Sequence, residues 1–150
     1  MNNHLLAIGI KTYDSQAQRE LNNPVEEVHA LAHLLAENYG FSYEILTSPN
    51  DDPEDLATDT NIAKHISKLA DPQNYYDKVI IYYAGHGHSD GYWLACNAKE
   101  NNADQGTYHY AKLFEVVNSC SSITQLLIIS DSCYAGKLLD TVNTIQPNDN

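Results

Sequence analysis

Lys78-Val79-Ile80-Ile81-Tyr82-Tyr83-Ala84-Gly85-His86-Gly87 is the stretch that decides the architecture of this chain. After one lysine it is β-branched, aromatic and aliphatic, apolar on both faces, as a strand covered on both sides of a sheet must be. A histidine between two glycines follows at once and ends the run. Two further apolar runs share its character: Leu5-Leu6-Ala7-Ile8-Gly9-Ile10 upstream and Gln125-Leu126-Leu127-Ile128-Ile129-Ser130 downstream. Both read as buried strands. Phe41 to Leu46 alternates and reads as another strand. Between them the period changes. Val25, Val28, Leu31, Ala32, Leu35 and Tyr39 recur at helical spacing, with Pro24 at the tolerated first-turn position and Gly40 as the stop. Ile62, Ile66 and Leu69 mark a second helix over 61–70, ended at Asp71-Pro72. Gly91 to Ala95 reads as a small hairpin strand, 97–107 as a polar loop, 110–117 as a helix, 134–145 as a final helix and 146–150 as a polar tail. Residues 11–24 read as a loop. Strands alternating with helices predict an α/β fold, a mostly parallel sheet with helices on both faces.

A chain of 150 residues with 43 % hydrophobic residues has the size and composition of one globular domain. The formal charge of −12 opposes nucleic acid and anionic membranes. It suits a cationic partner, although solubility alone would also account for it. Met1-Asn2-Asn3-His4 leads straight into a strand-like run, with no positive flank or cleavage site. The three cysteines, Cys96, Cys120 and Cys133, form neither a disulfide framework nor a Cys-x-x-Cys pair. A cytoplasmic location is the expectation, with Cys96 and Cys120 structural.

In parallel sheets the ligand site lies beyond the carboxyl ends of the strands. One strand here ends in Ala84-Gly85-His86-Gly87 and another in Ser130-Asp131-Ser132-Cys133. As neighbours they would run about 4.8 Å apart, close enough to pair an imidazole with a thiol. A thiol titrating near ~8.5 needs such a base at neutral pH. Gly87 leaves room for a substrate carbonyl, and its N–H with that of Cys133 could hold an oxyanion. Loss of one such donor costs about 3 kcal/mol of barrier. Either residue alone has a bland reading: a cysteine after a strand as a small hydrophobe, a histidine between glycines as a turn residue.

Tyr82-Tyr83-Ala84-Gly85-His86-Gly87 and Asp131-Ser132-Cys133-Tyr134-Ala135-Gly136 resemble the histidine and cysteine motifs of the caspase and metacaspase superfamily. The 47 residues separating His86 from Cys133 compare with roughly 50 in caspases. The resemblance runs over residues 4–140. It implies a three-layer, flavodoxin-like caspase fold and a cysteine endopeptidase, with His86 as base, Cys133 as nucleophile, and the amides of Gly87 and Cys133 as oxyanion hole. His88 competes for the role of base, but His86 matches the family's position between glycines. Caspases that cut after Asp carry Gln two places before the cysteine. Metacaspases carry Asp there and cut after Lys or Arg, and this chain has Asp131. The metacaspase Asn-Asp pair that opens the first helix is matched by Glu26-Glu27, so Glu27 becomes a second substrate-binding carboxylate. The only arginine, Arg19, lies near the loop where caspases place a pocket arginine, but at a different spacing. This keeps cutting after Asp as an alternative.

By the same resemblance, residues 1–150 form one caspase-like catalytic domain of large-subunit type, without the C-terminal small-subunit strands. The expected partners are a protein or peptide substrate and a small-subunit-like segment or second chain that completes the sheet. Neither nucleic acid nor membrane is expected. Alone, the chain should be poorly active and prone to associate. A catalytically silent scaffold in a signalling assembly is the reading from another class. A nucleotide-binding domain is weaker, because Gly85-x-Gly87 with Gly91 fails the dinucleotide spacing. His29 and His33 are four apart but lack the acidic base of a His-Glu-x-x-His helix. Asp51, Asp52, Glu54, Asp55 and Asp59 do not follow the EF-hand pattern. No metal or other cofactor is expected, and calcium dependence stays open.

Overall fold

The computed structural model describes residues 1–100 and 102–144. The order of elements is β1 (Asn3–Ile10), α1 (Pro24–Tyr39), β2 (Phe41–Ser48), α2 (Asp59–Leu69), β3 (Tyr76–Ala84), β4 (Gly87–His88), β5 (Tyr92–Leu94), β6 (Thr107–His109), α3 (Tyr110–Asn118), β7 (Ile123–Asp131) and α4 (Lys137–Thr144). A four-stranded sheet runs β2-β1-β3-β7, parallel throughout. A small antiparallel sheet, β4-β5-β6, stands beside it. This is the α/β arrangement that the alternation of periods predicts.

The chain leaves β1 through α1 to β2 on one side, then returns past β1 through α2 to reach β3. Right-handed crossovers in opposite directions put the two helices on opposite faces. On one face Leu5 and Ala7 pack with Val28 and Ala32 of α1. On the other, Leu6, Ile8, Ile10, Val79, Ile81 and Tyr83 pack with Ile62 and Ile66 of α2 and Leu113 of α3. Each such aliphatic side chain, fully withdrawn from water, contributes roughly 1.5–3 kcal/mol. The reversal makes the carboxyl ends of β1 and β3 a topological switch point, where such sheets open a crevice.

Local signals operate as the chemistry dictates. Pro24 opens α1, and Gly40 closes it at φ 69. Thr58 caps α2 by accepting from the Asn61 amide. Three readings need correction. Gln125–Ser130 is not a buried strand. β7 is an edge strand with no fully buried residue, and Leu127 and Ile129 are 52 % and 37 % exposed. They sit opposite Ile80 and Tyr82 on the face that α1 covers, but α1 packs chiefly against β1 and β2. The polar stretch 97–107 runs at its end into β6, which pairs with β5. The final helix begins at Lys137 rather than 134, because the chain turns through Tyr134 at φ 60. The polar tail at 146–150 lies outside the described residues.

Candidate active site

Registers place the two key strand ends level. Ala84 of β3 sits opposite Asp131 of β7, so Gly85-His86-Gly87 and Ser132-Cys133 leave the same edge of the sheet side by side. They touch through backbone: a Cβ added to Gly87 would run into the carbonyl oxygen of Cys133, with Ser132 Oγ 3.0 Å away. Only a glycine allows this approach. His86 and Cys133 line one open cleft of about 530 Å³, together with Arg19, Leu21, Asn22, Asn23, Pro24, Glu27 and Asp131. The wall after β1 and the two motifs after β3 and β7 thus meet at the switch point.

The imidazole is held from behind. His86 Nε2 lies 2.6 Å from the carbonyl oxygen of Arg19. A carbonyl only accepts, so the neutral ring carries its proton on Nε2 and keeps the Nδ1 lone pair free. The ring also packs against Tyr13, centroids 5.0 Å apart. Cys133 is exposed, so its thiol is open to solvent. The amide of Gly87 is not used by the hairpin. Leu94 N donates to His86 O at 3.0 Å, which makes Gly87 and Trp93 a non-hydrogen-bonded pair.

Trp93 joins the two halves of the site. It is fully buried, and its face stacks on Tyr83 at 4.6 Å and 8°. Its Nε1–H donates to Ser130 Oγ at 2.9 Å, and Ser130 Oγ lies 2.9 Å from Ser132 Oγ, next to Cys133.

Glu27, in the first turn of α1, and Asp131, at the end of β7, are exposed carboxylates lining the cleft. Both act on Tyr82. Burial pushes this phenol up, and the negative charges of Glu27 and Asp131 push it further. His88 is elsewhere: it stacks on Tyr92 at 4.5 Å and faces Asp90 at 3.6 Å, along a different hollow. His29 and His33 are exposed on α1. The acidic loop serves local structure: Glu54 pairs with Lys64 at 2.9 Å. Asp59 accepts from Asn97 Nδ2 and from the amides of Thr60 and Gly106. Burial alone would raise its carboxyl, but these bonds outweigh burial and hold it low. Among the described residues, no group of three or more His, Cys, Asp and Glu side chains could hold a metal ion. No helix among them is long and apolar enough to cross a membrane.

Residues 2–149 match the caspase domain family, Peptidase C14. The chain belongs to this caspase-domain family of cysteine peptidases. Among its curated relatives, Metacaspase-7 of Arabidopsis thaliana is 29 % identical over 81 % of this chain and 32 % of its own length. Metacaspase-4 of the same plant is 26 % identical over 93 % of this chain and 35 % of its own. Metacaspase-1 of Eremothecium gossypii is 26 % identical over 93 % and 33 %. This caspase domain therefore spans about a third of the length of these relatives. Protein GSU0716 from Geobacter sulfurreducens superposes with a TM-score of 0.65 at 20 % identity, over 96 % of this chain and 55 % of that one. That likeness establishes the shared fold.

Two groups that hold His86 in this caspase domain were not read from the sequence, the Tyr13 hydroxyl and the Arg19 carbonyl. Tyr13 left one signal: a lone aromatic in a polar stretch must either be wasted on solvent or be buried against something distant. The Arg19 contact uses main chain, which every residue possesses, so its side-chain type announces nothing.

Proposed function

We propose that this chain is the catalytic part of a cysteine endopeptidase, with His86 as base, Cys133 as nucleophile and Lys or Arg on the acyl side of the cleaved bond. The observation that carries this reading is the single cleft lined by His86, Cys133, Glu27 and Asp131. The Cys133 thiol gives its proton to His86 Nδ1, and the sulfur attacks the substrate carbonyl. The amides of Gly87 and Cys133 receive the negative oxygen. His86 then protonates the leaving amine, and water releases the acyl group from the thioester. Two carboxylates against one arginine give the cleft a net negative lining, which favours a cationic side chain and repels an acidic one.

The reaction has no step that calls for a metal or other cofactor, and its substrate is a protein or peptide. A small-subunit-like segment, from a longer form of the protein or from another chain, pairs with the open edge of β7 and completes the cleft. The exposed Leu127 and Ile129 and the fraction of the relatives' length that this chain spans support that part of the reading. Neither nucleic acid nor membrane is a partner, and the cytoplasm is the compartment in which an exposed reduced Cys133 would persist.

The test is a peptide library scanned at the acyl-side position. Cleavage after Lys and Arg should exceed cleavage after Asp by at least about tenfold, the effect of roughly 1.4 kcal/mol. Asp131→Asn should erase most of that preference, and Cys133→Ala should abolish turnover. Cleavage after Asp would transfer the specificity to Arg19. Intact binding with no turnover and no reaction of Cys133 with a peptidyl electrophile would favour the silent scaffold.

A further inference from the structure

Two tyrosine hydroxyls hold the backbone of His86 from both of its polar groups. The His86 amide donates to Tyr13 Oη at 2.7 Å. Tyr83 Oη lies 2.6 Å from the carbonyl oxygen of His86 and 2.7 Å from that of Leu94. Carbonyl oxygens only accept, so the single Tyr83 proton must point to them. Tyr13 thus takes the N–H and Tyr83 the C=O, a grip on both polar groups of one main-chain residue.

The hydroxyls are tightly enclosed. A Cβ on Gly85 would lie 2.5 Å from Tyr83 Oη and 2.8 Å from Tyr13 Oη, so nothing larger than glycine fits between them and β3. Burial pushes the Tyr13 phenol up to about 12, against the lowering effect of the His86 amide. Tyr13 therefore stays neutral at physiological pH. Six residues further along the same segment, the Arg19 carbonyl holds His86 Nε2. The segment after β1 thus fixes the main chain of His86 with one residue and its side chain with another.

We propose that Tyr13 is a positioning residue for His86, holding its main-chain N–H while Tyr83 holds its C=O. Without that grip the His86 backbone keeps its place in sequence but not its aim, and the imidazole meets the Cys133 thiol less often. This rests on the His86–Cys133 reading. Its test can fail separately.

The experiment compares wild type, Tyr13→Phe, Tyr83→Phe, the double variant and His86→Ala in the same 150-residue chain. The first readout is alkylation of Cys133 by a small neutral haloacetamide at pH 7. The second is deuterium exchange at the His86 amide. Tyr13→Phe keeps the buried ring and removes only the hydroxyl. It should slow alkylation about tenfold, toward the His86→Ala rate, and speed exchange at His86 by a similar factor. In a form that turns over peptide, kcat should fall with KM little changed, since Tyr13 is not among the residues lining the cleft. The double variant should be no slower than the worse single variant, because the two hydroxyls hold the same main-chain residue. Multiplying effects would overturn the proposal. So would wild-type alkylation in Tyr13→Phe while His86→Ala is slow. If Tyr13→Phe does not fold, the exchange rate and alkylation of Tyr83→Phe decide alone, and wild-type values there overturn the proposal. Wild-type alkylation in His86→Ala would remove the pairing itself, and the proposal with it.

Discussion

At the scale of single residues, the site depends on an atom that is missing. Gly87 lets the chain after β3 lie against the carbonyl of Cys133, in contact that a methyl group would occupy. Gly87→Ala should shift the Cys133 backbone, cost about 1–3 kcal/mol of stability as an overpacked position does, and reduce kcat/KM at least a hundredfold. A thermal melt and a peptide assay on the variant check the two effects together. Wild-type turnover would mean that the contact does not constrain Cys133. The sequence made this pair of motifs readable because both are local: a histidine between glycines and a cysteine after a strand survive as short words. Tyr13 did not survive in that way. Its bond to the His86 amide spans 73 residues, and no local pattern encodes such a distance.

At the scale of elements, the opposite end of the sheet carries its own electrostatic clasp. Glu44 of β2 receives Lys68 Nζ at 2.6 Å and His65 Nδ1 at 3.1 Å from α2, with His4 of β1 at 3.6 Å. Burial pushes the Glu44 carboxyl up, but the hydrogen bonds and charges of Lys68 and His65 outweigh it and hold the carboxyl below its usual value. Burial pulls His4 down, more strongly than Glu44 lifts it. Both shifts act in one direction. A histidine whose folded pKa is depressed binds its proton more readily unfolded, so stability falls as pH drops below about 6.5. A depressed carboxylate adds a further loss as pH falls through its own, lower range. The melting temperature should therefore drop from pH 7 to pH 5. His4→Gln should flatten that slope, and Glu44→Gln should flatten the slope below pH 5. Unchanged slopes in both variants would show that other groups set the acid limit. The same scale explains the misread strand. Gln125 to Ser130 has the composition of a covered strand, but composition reports what a strand can bury, and cover depends on a neighbour. β3 has β1 on one side and β7 on the other. β7 has β3 alone.

At the scale of the molecule, helices cover one face of the sheet from α2 and α3, whereas α1 leaves the outer part of the other face bare. Leu127, Ile129, Ile80 and Tyr82 form an incompletely covered strip that ends at the cleft. Among the described residues, the outer edge of β7 has no strand partner as well, and both features favour association of the chain on its own. Sedimentation velocity over a concentration series should show self-association of wild type. Leu127→Lys with Ile129→Lys should shift the chain toward monomer while leaving the melting transition cooperative. A monomeric wild type at every concentration would refute this. The α/β class was legible because hydrophobic period encodes it, whereas the pairing of β3 with β7 entered only as a condition and its level register is set by the structure. The bare strip was not, because a sequence records apolar residues without recording what lies over them.

The level pairing of Ala84 with Asp131 carries a consequence for how such a domain tolerates change in length. Removing one residue from within β7 would still permit pairing with β3, since main-chain hydrogen bonds are blind to identity. The sulfur would nonetheless arrive about 3.3 Å out of place and on the other side of the pleat. Insertions and deletions should therefore accumulate in the stretch between β5 and β6, and be shunned between residues 123 and 133, where the backbone acts as the ruler that sets Cys133 level with His86.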